Sequence, residues 1–428
     1  MVLVSPYFLV RGARQGKYLR NLPERLGRIA PEIRARAASS VGGIWLHAVS
    51  VGEVMAAQDL VRELKERFPE RAIFLSTTTE TGQRVARERI TSAAGVFYFP
   101  LDWAWAVRRV FRAIQPALIV ILETEVWPNF LREARRRKVP VVIANARISD
   151  RSLRGYNRVN RYYNNFVAAA LDDVTAFLAQ TGEDAHRLEE LGADPGRIEV
   201  TGNMKYDVEP PRDSELSNWL EANAKEQERW PIIVAGSVVQ DEEEPVLAAF
   251  DQVQRRWRHA LLVLAPRKPE RFDDAARIAA DYGWDVVRRS RITTGDTLPE
   301  SADVLLLDSI GELASLYRLA DAVFIGGSLV PLGGHNILEP AWFSKPPVFG
   351  SSMANFREIA ARFLAARAGV QVASSKELGE AWVALIQDPK HSERMGQAAR
   401  ELVRQNRGAT QRVLERLLPF FEATGSPA

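Results

Sequence analysis

The chain has 428 residues, too many for one ordinary domain and suited to two domains of roughly 200 residues each. Hydrophobic residues make up 46% and charged residues 26% of it, as is typical of a soluble globular protein. A formal charge of +3 does not indicate nucleic acid as a partner, since a DNA-binding surface needs clustered charge. The sequence has no cysteine, which excludes disulfides, thiolate metal sites and cysteine nucleophiles. Its five histidines lack metal-ligand spacing, so we do not expect a zinc enzyme.

The N-terminal segment is apolar at first and then basic. Residues 1–10 are mostly apolar, and basic residues follow them at Arg11, Arg14, Lys17, Arg20, Arg25 and Arg28. So short a run cannot span a bilayer, which takes about 20 residues, and a signal peptide carries its charge in front of the apolar run. The pattern predicts that residues 1–40 form a membrane-proximal arm in the headgroup layer of an anionic membrane. The alternative is an arm that packs on its own domain and exposes a solvated arginine face.

The first half of the chain alternates short β-branched or aromatic runs with helical patterns. The predicted strands are 44–49, 72–77, 96–99, 117–122, 139–144 and 198–200, and the predicted helices are 54–68, 83–90, 103–114, 129–137, 158–171 and 182–191. Such alternation is typical of βαβ units around a parallel sheet covered on both faces.

The second half repeats this pattern after a polar, proline-containing break at 207–228. The predicted strands are 232–235, 261–265, 304–307, 322–325 and 347–349, and the predicted helices are 245–257, 269–282, 312–319 and 393–421. We therefore predict an α/β protein with two Rossmann-like, doubly wound domains at 41–206 and 230–405. A linker at 207–229 joins them and a C-terminal helix follows at 406–428. Ligands are expected in a central cleft, at the carboxyl ends of the strands.

The most suggestive motif of the first half is HAVSVGE at 47–53. Its strand ends near Val49, and Glu53 falls at the start of the next helix, where a carboxylate faces the expected cleft. It suits a general base that takes a proton from an acceptor hydroxyl. The alternative is an acidic residue that stabilises its own helix N-terminus. His47 lies inside the strand and is interpreted as a core or hydrogen-bonded histidine.

Further polar residues follow other strands of the first half. Glu123 and Glu125 precede a Trp-Pro-Asn turn, and they either position an acceptor, tune Glu53 through like-charge proximity or cap local backbone groups. Arg147 ends the next strand and is a candidate for holding an anionic group. Lys205, at the predicted domain junction, is either a cation for a phosphate or a developing charge, or a solvated linker lysine.

A glycine-rich stretch at 326–340 is the strongest signal of the second half. It follows the strand at 322–325 and leads into a helix, so its N–H groups and the helix N-terminus favour an anion. Glu339, in the first turn of that helix, is placed to accept hydrogen bonds from a ribose. The alternative is a pair of tight turns at the sheet edge. Arg267 offers a guanidinium to a phosphate, and residues 308–312 open another helix whose N–H groups suit a nucleotide.

The chain has neither an Asp-x-Asp metal motif nor a Walker-type lysine loop. A diphosphate-sugar enzyme that uses a metal to stabilise its leaving group is therefore disfavoured. A monophosphate leaving group stabilised by N–H dipoles and basic side chains fits better.

Seven strings, in order, resemble the 3-deoxy-D-manno-octulosonic acid (Kdo) transferases of lipopolysaccharide biosynthesis: HAVSVGE, ILETEVWPN, IANARIS, TGNMKYD, LAPRKPERF, DSIGELASLY and GGSLVPLGGHNILEPA. The resemblance covers residues 20–420. It implies a GT-B fold and an inverting glycosyltransferase with no cofactor and no metal. It further implies CMP-Kdo as donor, a lipid A precursor disaccharide as acceptor, and a position at the cytoplasmic face of the cell inner membrane.

The resemblance also assigns roles to residues. Glu53 matches the catalytic base of the family, and Glu123 and Lys205 match residues that stabilise the transition state. The CMP-binding segments match Pro266, Arg267, Ile310, Gly311, Glu312, Asn336, Ile337, Leu338 and Glu339.

The chain departs from the family pattern in two places. Some relatives have Ser-x-His after the first strand of the second domain, where this chain has Val239. Relatives often carry a longer hydrophobic N-terminal anchor, so either the start lies upstream or the attachment is peripheral. Two alternatives stay open: another GT-B enzyme, such as a UDP-sugar transferase or epimerase, and a non-catalytic, membrane-associated nucleotide-binding protein. The number of Kdo residues transferred and the oligomeric state are not predicted.

Overall fold

A computed structural model describes residues 21–208, 210, 213–293 and 295–422. The chain divides into two compact units. Unit 1 holds the described residues up to Val208 together with those from Asn406 onward, and unit 2 holds those in between. Residues 1–20, the first half of the predicted membrane-proximal arm, lie outside the described part of the chain.

The described part of unit 1 contains a parallel sheet of seven strands. Their bounds are Gly43–His47 (β1), Ile73–Thr77 (β2), Gly95–Tyr98 (β3), Pro116–Leu122 (β4), Val141–Ala146 (β5), Ala176–Ala179 (β6) and Ile198–Val200 (β7). The order across the sheet is β3-β2-β1-β4-β5-β6-β7, and all neighbours run parallel.

Both faces of this sheet are covered by helices. Successive strand residues point to opposite faces, so Trp45 packs on one side against Phe130, with ring centroids 4.9 Å apart, while Ile44 packs on the other side in the same cluster as Leu60. The helices are Leu22–Arg25, Pro31–Ala38, Val51–Arg67, Glu80–Arg89, Ala104–Ile114, Pro128–Arg136, Asp150–Tyr162, Phe166–Leu171, Gly182–Glu190 and Ala409–Glu422, with 3-10 turns at Pro195–Arg197 and Met204–Tyr206.

Unit 2 has a second parallel sheet, again of seven strands within the described residues. They are Ile232–Val238 (β8), Leu261–Pro266 (β9), Val286–Arg288 (β10), Val304–Leu306 (β11), Ala322–Ile325 (β12), Pro347–Gly350 (β13) and Val370–Val372 (β14). Their order is β10-β11-β9-β8-β12-β13-β14. The helices are Glu215–Glu226, Glu243–Gln254, Phe272–Asp281, Leu313–Leu316, Leu338–Trp342, Arg357–Ala365, Ser375–Gln387 and Pro389–Gln405, with 3-10 turns at Pro269–Arg271, Arg289–Arg291 and Tyr317–Leu319.

The strand order of each sheet has one topological switch point. At this point two strands lie side by side, and the connections that follow them lead to opposite sides of the sheet. In unit 1 this point lies between β1 and β4, and in unit 2 between β8 and β12. Open α/β sheets bind ligands outside the carboxyl ends of the strands at such points. The candidate sites are therefore expected in the segments that follow these four strands. The two parallel sheets with their helices confirm the predicted α/β fold class.

The structure corrects the predicted linker at 207–229. Residues Glu215–Glu226 form a helix, which Ser214 begins with a capping box, and Leu216 and Leu220 are buried. The segment reads as polar because the exposed face of the helix carries its charged residues. It is part of unit 2.

The single helix predicted at 393–421 is two helices. Pro389–Gln405 belongs to unit 2, while Ala409–Glu422 belongs to unit 1. Gly408, at φ +89°, separates them in a conformation that favours glycine. Val413 and Leu417 then enter the same core cluster as Leu60.

Two smaller observations concern unit 1. The single helix predicted at 158–171 is replaced by two helices, Asp150–Tyr162 and Phe166–Leu171. Between them Asn165 has φ +56°. Residues 21–40 contain two helices, and Ile29 between them and Ile33 in the second are buried in the core of unit 1. Among the described residues, no helix combines the length and the apolar character needed to cross a membrane.

Candidate functional site

Glu53 lies at the switch point of unit 1, in the first turn of the helix Val51–Arg67. Val49 N–H donates to its Oε2 at 2.6 Å, and the Ser50 hydroxyl donates to its Oε1 at 2.8 Å. The residue is 8% exposed. Burial and then the charge of Glu123 raise the pKa of Glu53 to about 7, although the bonds from Val49 and Ser50 oppose the rise. A carboxylate with this pKa exchanges its proton near neutral pH, as a general base does.

Glu123 follows β4 and pairs with Lys205. Lys205 Nζ donates to Glu123 Oε1 at 2.8 Å, and both side chains are mostly buried. Burial alone would raise the pKa of Glu123, but the Lys205 ammonium, with a smaller contribution from Arg147, lowers it. Glu123 therefore stays ionised, and its negative charge acts on Glu53. The structure thus brings Glu53, Glu123 and Lys205 to one edge of unit 1.

Glu125 is the third carboxylate of this edge. Burial first, and then the charge of Glu123, raise the pKa of Glu125 to about 7. Tyr156 lies close enough to Glu125 that burial and this carboxylate raise the pKa of its phenol to about 12. Glu53, Glu123 and Glu125 thus influence one another's pKa, as carboxylates at functional sites often do.

A chain of amides positions Lys205. Asn145, near the end of β5 and at φ +54°, accepts the Met204 N–H at 3.0 Å through Oδ1. Gln180 Nε2 donates to the Asn145 carbonyl at 3.0 Å, and Gln180 Oε1 accepts from Asn203 Nδ2 at 2.9 Å. Asn203 Oδ1 in turn accepts the Lys205 N–H at 3.0 Å. Sequence reasoning missed Gln180, because nothing marks an isolated glutamine after a short strand.

His47 is a core residue, as interpreted from the sequence. It is fully buried, its Nδ1 lies 2.9 Å from the Ser76 hydroxyl, and its ring stacks on Phe99 with centroids 4.0 Å apart. Burial lowers the pKa of His47 to about 3, so the ring is neutral at physiological pH.

At the switch point of unit 2, the glycine-rich loop after β12 differs from the expectation. Its N–H groups do not form an open anion cradle, because the buried carboxylate of Glu242 already occupies them. Glu242 Oε2 accepts from Gly327 N–H at 2.6 Å, and Oε1 accepts from Ser328 N–H at 2.9 Å and Leu329 N–H at 2.8 Å. The expectation that these N–H groups bind the ligand is wrong, since they already have an anion from the same chain.

The second part of the glycine-rich stretch forms a polar cluster with Arg267. Burial and the Arg267 charge lower the pKa of His335 to about 4. Burial raises the pKa of Glu339, while Asn336, whose Nδ2 lies 3.3 Å from Glu339 Oε1, and Arg267 oppose that rise. The buried phenol of Tyr317 belongs to the same cluster. Burial and the charge of Glu339 raise the pKa of Tyr317.

The donor-site candidates in this stretch fall into two groups. Asn336 and Glu339 are partly exposed and polar, whereas Ile337 and Leu338 are 0% and 1% exposed and shape the wall behind them. Asn336 Oδ1 accepts the Leu338 N–H at 3.1 Å, so the side chain of Asn336 itself satisfies the start of the short helix. Pro266 ends β9 inside the core, and Arg267 beyond it is exposed.

The segment 310–312 leads into a helix, as predicted, and nucleotide binding by its N–H groups stays a prediction. The helix that follows, Leu313–Leu316, is a single turn. Glu312 accepts from Arg289 Nη2 at 3.0 Å and from the Ser309 hydroxyl, so both carboxylate oxygens are occupied. Gly311 has φ +95°, and Ile310 is 61% exposed.

Among the described residues, no three side chains of His, Asp, Glu or Cys come together as a metal site. At the switch point of unit 1, Glu53 is suited to acid–base chemistry. At the switch point of unit 2 there is a polar cluster with the exposed guanidinium of Arg267. Val239 is buried, and its N–H donates to Glu242 at 3.1 Å.

Solved structures match the fold. A putative UDP-N-acetylglucosamine 2-epimerase from Listeria monocytogenes superposes with a TM-score of 0.59 and 14% identity, over 90% of this chain and 98% of that one. A glycosyltransferase from Rickettsia africae gives a TM-score of 0.58 and 12% identity, over 90% and 100%. At such identities the likeness concerns the fold alone, which is of the GT-B type.

Sequence comparison identifies the family. A family model described as 3-deoxy-D-manno-octulosonic-acid transferase (kdotransferase) matches residues 20–208. The 3-deoxy-D-manno-octulosonic acid transferase of Haemophilus influenzae is 34% identical over 92% of this chain and 93% of its own length. The protein of the same name from Bordetella pertussis is 34% identical over 92% and 90%. The chain therefore belongs to the 3-deoxy-D-manno-octulosonic acid transferase family.

Proposed function

We propose that the protein transfers Kdo from CMP-Kdo to the disaccharide of a lipid A precursor, with inversion at the anomeric carbon. Family membership supports a Kdo transferase in lipopolysaccharide synthesis. The observation that carries the proposal is Glu53, a buried carboxylate that two short hydrogen bonds hold at a sheet switch point and whose pKa is about 7.

In the proposed step, Glu53 takes the proton of an acceptor hydroxyl as its oxygen attacks the anomeric carbon of Kdo. The new C–O bond forms on the face opposite the leaving group, the bond from that carbon to the phosphate oxygen breaks, and CMP leaves as an anion. A positioned base of this kind contributes roughly 10²–10⁴ in rate. Glu123 assists by keeping the pKa of Glu53 high, and the Lys205 ammonium supplies positive charge to the same edge.

For the donor, we propose that Arg267 pairs with the phosphate and that Glu339 and Asn336 bind the ribose. An exposed guanidinium beside a polar, half-buried cluster supports this assignment. Ile310 and Gly311 then form an apolar rim of the donor site. The exposed Ile310 side chain packs against the base of the nucleotide. Since a monophosphate carries less charge than a diphosphate, these side chains suffice for the leaving group and no metal is required.

The test is a transfer assay with CMP-Kdo and a tetraacylated lipid A precursor. Mass spectrometry of the product shows whether Kdo is added and how many times, and NMR of the anomeric centre shows inversion. Activity that survives EDTA supports metal independence. Activity lost in EDTA and restored by a divalent cation refutes that part of the proposal.

A nucleotide panel tests the donor independently of the acceptor. At 100 times its Kd, a ligand stabilises the fold by about 2.7 kcal/mol, which a thermal melt resolves. We expect protection by CMP and none by UDP at equal concentration. Protection by UDP alone would favour a UDP-sugar transferase or epimerase. CMP binding without turnover would favour the non-catalytic alternative.

We further propose that the protein works at the cytoplasmic face of the cell inner membrane, and that the helix Asp150–Tyr162 contacts the lipid. Four exposed arginines line one face of this helix at helical spacing: Arg151, Arg154, Arg158 and Arg161. None of them has an ion pair with a carboxylate among the described residues. Tyr162, Tyr163 and Phe166 follow, 74%, 65% and 40% exposed. Arginines beside exposed aromatic rings suit an anionic headgroup layer.

Sedimentation with vesicles tests this contact. Each arginine near an anionic surface contributes about 1 kcal/mol, so Arg154→Glu with Arg158→Glu should lower binding to phosphatidylglycerol vesicles at least tenfold. The matched control is Arg394→Glu with Arg400→Glu, which reverses two exposed arginines of unit 2. Equal loss in both variants, or none in either, would reject this helix as the membrane contact.

A further inference from the structure

Glu242 is a buried carboxylate whose partners are all backbone N–H groups. It is 0% exposed, and its two oxygens accept from Val239, Gly327, Ser328 and Leu329 at 2.6–3.1 Å. No arginine or lysine pairs with it among the described residues. Burial raises the pKa of Glu242, and the four N–H bonds oppose that rise. Such a group is tolerated in a core only where its hydrogen bonds are complete.

The N–H groups of Gly327, Ser328 and Leu329 come from consecutive residues, with Gly327 at φ +68°. Successive N–H groups in this kind of conformation form a concave anion site. In a nucleotide-binding loop the anion in such a site is a phosphate. Here it is a side chain from the segment after β8, 85 residues earlier in the chain. The loop is therefore fixed before any ligand arrives.

Gly327 links this carboxylate to the proposed donor residues. Its N–H donates to Glu242, and its carbonyl accepts the Gly334 N–H at 2.7 Å. Its Cα also faces the His335 ring, because a Cβ on Gly327 would lie 2.8 Å from His335 Cδ2. Residues 334 and 335 lead directly into Asn336 and Glu339. A shift of Gly327 thus moves the segment that we assign to the ribose.

The loop is also closely packed on its other sides. A Cβ on Gly326 would lie 2.4 Å from the Ser237 carbonyl oxygen, and the Ser328 hydroxyl accepts the Gly350 N–H at 2.8 Å. A loop in this setting has one position that satisfies its neighbours. The three bonds from Gly327, Ser328 and Leu329 to Glu242 select that position.

We propose that Glu242 is a positioning residue for donor binding: it takes the place of an anion in the loop after β12 and thereby holds residues 334–339 in their binding arrangement. This proposal rests on the donor assignment made above for the same residues. It assigns no contact between Glu242 and the donor, and Glu242 takes no part in proton transfer.

The chain offers a matched control in Glu243, the next residue. It is 1% exposed and opens the same helix, but its carboxylate pairs with Arg271 at 2.7 Å rather than with the loop. The variants are therefore Glu242→Gln and Glu243→Gln, each of which neutralises one buried carboxylate. In Glu242→Gln an amide NH2 faces backbone N–H groups, which cannot act as acceptors.

Two measurements on the full chain read the effect. Amide hydrogen exchange without ligand should lose at least tenfold protection across residues 326–336 in Glu242→Gln and keep it in Glu243→Gln. Titration with CMP should show at least a tenfold higher Kd in Glu242→Gln, and a transfer assay should show the donor KM rise with kcat within threefold. Glu243→Gln should match the unchanged protein in both. If Glu242→Gln does not fold, Glu242→Asp, which keeps the charge at a shorter reach, should show the same changes to a smaller degree.

Unchanged exchange in residues 326–336 would overturn the proposal whatever the ligand. Loss of exchange protection with an unchanged Kd for CMP would also overturn it, because the loop would then not position the donor residues. If the unchanged protein binds UDP in place of CMP, the proposed function fails while the same comparison, made with UDP, still decides the role of Glu242.

Discussion

Glu53 and Glu242 occupy corresponding places in the two units. Each follows the first strand of its sheet, β1 or β8, at the switch point, and each carboxylate turns back to accept an N–H from a valine just before its helix. They differ in what else surrounds them. Glu53 has one hydroxyl donor and a carboxylate neighbour, Glu123, whereas Glu242 has three further backbone N–H groups.

A reactive carboxylate and a fixed one in the same fold are distinguished by the hydrogen-bond donors around them. A serine hydroxyl can reverse its role and accept a bond, so the surroundings of Glu53 tolerate a change of protonation. Backbone N–H groups only donate, so the surroundings of Glu242 accept only an anion or an acceptor. The like charge of Glu123 further favours the protonated form of Glu53.

The largest expected effect is on catalysis by Glu53. Glu53→Gln keeps the shape of the side chain but removes the base, so kcat should fall by about 10²–10⁴. The control is Glu66→Gln on the same helix, whose side chain is 67% exposed and whose replacement should leave kcat unchanged. An activity of Glu53→Gln within fivefold of the unchanged protein would remove Glu53 from the role of base.

Replacing Glu53 or Glu242 by glutamine should change the free energy of unfolding in opposite directions. Because the folded-state pKa of Glu53 is raised to about 7, the protonated form stabilises the fold, and this contribution is lost as pH rises from about 4.5 to 7. At pH 8, Glu53→Gln should therefore be more stable than the unchanged protein, by about 1–3 kcal/mol. Glu242→Gln should be less stable by about 1–3 kcal/mol, since N–H groups lose their acceptor. Urea unfolding at pH 8 measures both, and two changes of the same sign would contradict the comparison.

The pH dependence of the reaction tests the influence of Glu123. The rate should rise with pH through an apparent pKa of about 7, since Glu53 must be ionised to accept a proton. Glu123→Gln removes a like charge, so the midpoint should move to lower pH. The rate at pH 8 should fall by about tenfold because the Lys205 ammonium loses its partner. A midpoint that stays in place would show that burial alone sets the pKa of Glu53.

The smallest effect should come from the amides behind Lys205. Asn145→Ala removes the acceptor of the Met204 N–H and should lower kcat about fivefold, because Lys205 is then less firmly placed. Asn145→Asp keeps an acceptor oxygen at that point and should lower kcat less. A larger loss in Asn145→Asp than in Asn145→Ala would show that charge, rather than position, matters at this residue.

Part of the fold and the site is local information. Alternating apolar runs and helical periodicity predict the strands β1 to β5 and the helices between them, since both periods are properties of neighbouring residues. The same reasoning missed the short strands β6, β10 and β14, whose few residues carry too little pattern. Candidate residues at strand ends, such as Glu53 and Glu123, follow from the rule that parallel strands end at one edge.

The partners of the polar groups were decided by the tertiary structure. The glycine-rich loop has the sequence of an anion site, and only the fold shows that Glu242 already fills it. Glu312 pairs with Arg289, a contact across 23 positions that the sequence does not show. The C-terminal helix, predicted from its own periodicity, enters the core of unit 1 through Val413 and Leu417.

Most strands and helices, the α/β class and the carboxylates at the edge of unit 1 could be predicted from the sequence. The occupied N–H groups, the paired carboxylates and the unit that receives the last helix became known from the fold. They differ from the predictable features in the range of the interactions involved. Hydrophobic periodicity is written within a few residues, whereas the hydrogen bond from Gly327 to Glu242 spans 85 positions and depends on two strands meeting in one sheet.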